Sequence, residues 1–117
     1  MSAVATVDEI EVVTTRPAPV TKGKRKKQPQ YVVIVENDDH HTFLYVIEVL
    51  QKVCGHTLEE AERLAGEVHH TGKAVVWQGS YEVAELKRDQ IRGYGPDLYA
   101  HAPVTFPLGC YIEPMSG

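Results

Sequence analysis

The sequence predicts an α+β domain: a small three-stranded sheet packed against three helices in the order β-α-α-β-α-β, behind a flexible N-terminal extension. Two observations predict it. Short apolar runs, YVVIV (31–35), AVVWQ (74–78) and LGCYIE (108–113), alternate with longer segments whose apolar residues recur at helical spacing. The helices are too few to cover both faces of a doubly wound sheet, so one sheet lies against one helical layer. At 117 residues and 43% hydrophobic, the chain has the length of one domain and the apolar content of a globular core.

Residues 1–30 read as a flexible extension, with Pro17, Pro19, Pro29, no sustained period, and the basic run KGKRKK at 22–27. The remainder, 31–117, is the folded domain. YVVIV is a largely buried strand. After the turn NDDHH (37–41), Phe43, Val46, Ile47, Leu50 and Val53 predict a helix over about 42–54, stopped near Gly55. Thr57 with Glu60 three positions on is a capping box. It opens a second helix, striped by Leu58, Ala61, Leu64, Ala65 and Val68, that runs to about His70 and stops at Gly72. AVVWQ is the second strand. Ser80 caps a third helix carrying Val83, Leu86 and Ile91, which ends near Gly93 or Gly95. Residues 95–107 (GPDLYAHAPVTFP) form an irregular loop with three prolines, and LGCYIE is the last strand.

Composition narrows the function. Residues 1–30 hold six Lys/Arg against three acids, a net of +3, and residues 31–117 hold six against thirteen, a net of −7. A domain this acidic is a poor partner for nucleic acid and a plausible one for cationic ligands. No stretch approaches the roughly 20 apolar residues that cross a bilayer, and no apolar signal core opens the chain, so the expected compartment is the cytoplasm. Cys54 and Cys110 lie in or beside apolar patterns and read as buried free thiols.

The turn 37–41 concentrates acceptors and titratable groups: Asn37, Asp38, Asp39, His40 and His41. Three chemistries compete for it. A metal site needs three or four converging ligands, usually in HxxxH or CxxC spacing. The adjacent pairs His40-His41 and His69-His70 each offer one ligand to a common point, so no metal or other cofactor is expected. A metal-dependent hydrolase is the distant alternative, but no nucleophile elbow of the GxSxG kind appears, and no catalytic residues are assigned. The third chemistry is capture of an ammonium, which has three donors and no acceptor and needs oxygens or neutral ring nitrogens converging on it. Asn37, Asp38 and His69 can supply them beside the apolar faces of two helices. The same NDD sequence also serves as a cap-and-turn device.

Four motifs in order, YVVIVxNDD, VIEVLQKV, EVHHxGKA and EVAExK, resemble the ClpS adaptors of the bacterial ATP-dependent Clp protease over residues 31–92, and the likeness resumes at 107–113. The spacing from Asn37 to His69 fits as well. The resemblance implies a non-enzymatic adaptor that binds proteins bearing a destabilising N-terminal residue and hands them to a ClpA-like AAA+ ATPase. It implies that Asn37, Asp38 and His69 hold the α-amino group. It also implies that Val35, Phe43, Val46, Ala65, Val68 and Leu108 shape the pocket for the first side chain, that Glu82 and Lys87 meet the ATPase, and that the N-terminal extension takes part in delivery. A monomer is expected. The alternative within binding proteins is a domain that docks on a Clp ATPase without reading N-termini. The sequence departs from the family's usual pattern at three places. His41-Thr42-Phe43 replaces Thr-Pro-Met, Ala65 replaces a bulky residue, and the segment between third helix and last strand is longer.

Overall fold

The computed structural model describes residues 29–115; the extension expected over 1–30 falls almost wholly outside them. The elements follow the expected order: β1 (Tyr31–Glu36), α1 (Phe43–Cys54), α2 (Leu58–Thr71), β2 (Lys73–Gly79), α3 (Tyr81–Arg92) and β3 (Cys110–Pro114). The sheet is antiparallel in the order β2-β1-β3, with Val33 opposite Trp77 on one side and Ile112 on the other. The central strand is β1, which is why its Val33 and Val35 are fully buried.

Local signals place the helix ends. The Thr42 hydroxyl accepts from the Tyr45 N–H at 3.1 Å and opens α1; Gly55, at φ 76°, closes it in a left-handed turn that glycine adopts without a steric penalty. Thr57 caps α2 the same way, accepting from Glu60 N–H at 3.1 Å. The capping box is completed on that side only, because the Glu60 carboxylate turns outward to Arg63 at 2.6 Å. Gly72, at φ 98°, ends α2.

The third helix forms as expected, but of Val83, Leu86 and Ile91 only Ile91 is buried, together with Ala84, while Val83 is 39% and Leu86 52% exposed. Residues 84 and 91 are seven apart, almost two full turns, and share a face; 86 and 91 point about 140° apart. The last strand begins at Cys110, not Leu108. Leu108 instead sinks into the core, and Gly109 carries the pairing onward by accepting from the Glu36 N–H at 2.9 Å.

The core lies between the sheet and the helices, built from Val33, Val35, Val49, Leu50, Leu64, Ile91 and Leu108. Cys110 is buried and Cys54 partly so, and both are free thiols. Burial pushes Cys54 up to about 11 and Cys110 up to about 12, so neither is a nucleophile near neutral pH. Among the described residues, no helix is long and apolar enough to cross a membrane.

Candidate functional site

The turn after β1 is docked on the end of α2. The Asn37 N–H donates to the Gly72 carbonyl at 2.9 Å, and His69 lies three residues before Gly72, in the last turn of α2. Asn37 and Asp39 lock each other: the Asn37 amide donates to Asp39 Oδ1 at 3.0 Å, and its oxygen accepts the Asp39 N–H at 3.2 Å. Asp39 takes φ 64°, a left-handed conformation that Asp tolerates.

Asp38 is already heavily engaged. Its Oδ1 accepts the N–H groups of His40 and His41, each at 2.9 Å, and its Oδ2 meets His41 Nδ1. Partial burial pushes the Asp38 carboxyl up, but the His41 and His40 amides, with the His41 ring, outweigh it and hold the group below its ordinary range. His69 is exposed in the last turn of α2, its ring edge-on to His70 at 5.5 Å. Among the described residues, no hydrogen bond joins the side chains of Asn37, Asp38 and His69. The backbone link to Gly72 ties Asn37 to the end of α2, the helix whose last turn carries His69.

Most of the residues expected to shape a side-chain pocket are core residues. Val35, Val46, Ala65, Val68 and Leu108 all belong to the hydrophobic core, while Phe43 is 46% exposed at the first turn of α1. Farther off, Glu82 is exposed in the first turn of α3. Lys87 is half-buried and donates to the Val53 carbonyl at 2.8 Å, a cation placed where the orphan carbonyls of α1 end.

Sequence reasoning missed the part played by the segment 95–107. Its Asp97 is fully buried, and its carboxylate accepts the Thr42 N–H at 2.6 Å, the Thr42 hydroxyl at 3.2 Å and the Tyr99 N–H at 2.9 Å. A backbone bridge pairs Asp97 with Val104. Phe106 sets its ring edge against His40 and His41, and its carbonyl lies 3.0 Å from His41 Nε2. Farther along α1, Glu48 accepts from the Tyr94 hydroxyl at 2.6 Å and from the Tyr99 hydroxyl, and burial together with that carboxylate pushes Tyr94 up to about 12. The only advance signal was aromatic residues, Tyr99 and Phe106, in a stretch that otherwise reads as turns. Among the described residues, no three His, Cys, Asp or Glu side chains group as a metal site.

Known proteins share this architecture. Residues 26–110 match the family model of the ATP-dependent Clp protease adaptor protein ClpS. A ClpS adapter of Nostoc sp. is 43% identical over 83 residues, 70% of this chain and 86% of the relative. One from Pectobacterium carotovorum is 43% identical over 94 residues, 79% of this chain and 83% of the relative. Among solved structures, Agrobacterium tumefaciens ClpS2 bound to L-phenylalaninamide is similar at a TM-score of 0.65 and 28% identity, covering 76% of this chain and 100% of that one. The chain belongs to the ClpS family, the adaptors of the ATP-dependent Clp protease.

Proposed function

We propose that this adaptor captures the free N-terminus of proteins that begin with a large apolar residue and delivers them to a ClpA-like AAA+ ATPase. The observation that carries the reading is the Asn37–Gly72 hydrogen bond, which sets a turn of oxygen acceptors against the end of α2, next to the core residues Val68 and Val35. An ammonium needs such acceptors, and an apolar first side chain needs the surface beneath them. L-phenylalaninamide, the ligand of the similar ClpS2 structure, carries both groups. In this reading Asn37, Asp38 and His69 hold the α-amino group, and Val35, Phe43, Val46, Ala65, Val68 and Leu108 surround the side chain. The protein works by binding, without catalysis, as a monomer in the cytoplasm or an organelle of bacterial descent.

Glu82 and Lys87, the latter tied to the Val53 carbonyl near the end of α1, belong to the surface that meets the ATPase. Residues 1–30 act in delivery; deleting them should leave peptide affinity unchanged while slowing degradation of a model substrate by the protease. A peptide panel that varies only the first residue, read by fluorescence anisotropy, tests the whole reading. Phe, Tyr, Trp and Leu peptides should bind and Gly, Ser and Glu peptides should not. A second reading, docking on the ATPase without reading N-termini, draws support from the occupied Asp38 carboxylate, and failure of every peptide in the panel would favour it.

A further inference from the structure

Both nitrogens of the His41 ring face acceptors. Nε2 lies 3.0 Å from the Phe106 carbonyl oxygen, which can only accept, so Nε2 carries a hydrogen. Nδ1 meets Asp38 Oδ2, and this carboxyl is held ionised by the two amide N–H groups on its other oxygen. An ionised carboxylate also only accepts, so a hydrogen on each ring nitrogen is what would satisfy both contacts. The His41 side chain is 1% exposed, stacked on Tyr45 at 5.1 Å and closed by the edge of Phe106. The neighbouring groups that bear on its charge are Asp38 in the turn, Tyr45 on α1, His40 across Phe106, and Asp97 through Thr42.

We propose that His41 is a positioning residue that supplies Asp38 with a built-in counter-charge and so sets how strongly this site selects for a free ammonium. The proposal rests on the reading that Asn37, Asp38 and His69 hold the substrate's amino group. Asp38 Oδ1 spends both lone pairs on the turn, and Oδ2 gives one to His41, so a single lone pair is left for a ligand. An ammonium arriving there meets a carboxylate whose charge is already compensated and a second cation across the same oxygen. Repulsion between the two cations offsets part of the attraction. The segment 95–107 takes part, because the Phe106 carbonyl is what holds the second proton in place. In this chain selectivity for a charged N-terminus is therefore tempered, and binding leans more on the apolar side chain.

His41→Phe keeps a planar ring between Tyr45 and Phe106 and removes both N–H groups. The readout is the ratio of affinities for a Phe-initiated peptide and for the same peptide lacking only its α-amino group (a 3-phenylpropionyl N-terminus). The ratio should rise about tenfold in the variant, about 1.4 kcal/mol of added amine selectivity. A ratio that stays level or falls overturns the proposal, since a purely structural role for His41 would weaken both peptides together. Nitrogen-15 NMR of the wild-type ring at pH 7 stands independently of the variant's folding: two protonated ring nitrogens are expected, and a neutral tautomer overturns the proposal. If wild-type protein binds neither peptide, the N-terminus reading fails, while the NMR result still decides the state of His41.

Discussion

The buried carboxylate of Asp97 accepts the backbone N–H of Thr42 at 2.6 Å, joining the loop before β3 to the N-terminus of α1 across 55 positions of sequence. Thr42 is the N-cap of α1 and follows the turn that carries Asn37 and Asp38, so this bond holds the frame of the candidate site. A carboxylate also suits the positive end of the helix dipole.

Asp97→Ala removes an ionised acceptor from three donors, Thr42 N–H, Thr42 hydroxyl and Tyr99 N–H. The expected loss is about 1.5–3 kcal/mol of stability, on the scale of hydrogen bonds to charged groups. Asp97→Asn keeps an oxygen acceptor and should lose less. Urea unfolding with the slope held in common checks both. An Ala variant as stable as wild type would mean the loop merely rests on α1.

Asp38 gives a prediction with a definite sign. Its folded carboxyl lies below the ordinary value, with partial burial opposing and the His41 and His40 amides prevailing. Folding therefore favours the ionised form. The stabilisation is fully present above the unfolded value near ~3.9 and disappears as pH falls through the lower folded value. The stability gap between wild type and Asp38→Asn should hold steady from pH 7 to 5 and close below about pH 4. A gap unchanged down to pH 2 would contradict the assignment of these bonds. Because Asp38 Oδ1 also fastens the turn, Asp38→Ala loosens local structure as well as removing a ligand contact, and Asn is the cleaner probe.

Phe43 stands 46% exposed at the start of α1, and Ala65 on α2 is buried. In an open pocket it is an aromatic wall. Phe43→Ala should then weaken Phe and Tyr peptides by about 0.5–1.5 kcal/mol, the worth of an aromatic pair. Fluorescence anisotropy with Phe and Leu peptides reads this, the Leu peptide losing less. Tighter binding in the variant would show that Phe43 obstructs the pocket.

The parts of this fold that were legible in the sequence rest on short-range physics. The spacing of Val46, Ile47 and Leu50, the Thr57 cap and the Gly72 stop act within a few residues, and α1 and α2 ended where those signals put them. Helix α3 forms between Ser80 and Gly93 as those signals predict, but its buried face is carried by the small residue Ala84 with Ile91, while Val83 and Leu86 are exposed, which apolar content alone does not reveal. The acceptor turn was legible as a composition, five polar residues in a row. How its atoms are used was not. His41 Nε2 finds its partner 65 positions away at Phe106, and Asp97 finds Thr42 at a similar remove, so the Pro-Asp stretch read as an ordinary turn.

The central claim is that the site reads a charged α-amino group together with an apolar first side chain. The most direct measurement compares one Phe-initiated peptide with its N-acetylated form, under identical salt and pH. Acetylation removes the positive charge and two of the three donors that Asn37, Asp38 and His69 would satisfy. The account predicts that affinity falls at least tenfold, about 1.4 kcal/mol. Equal affinity for the free and acetylated peptides would contradict it.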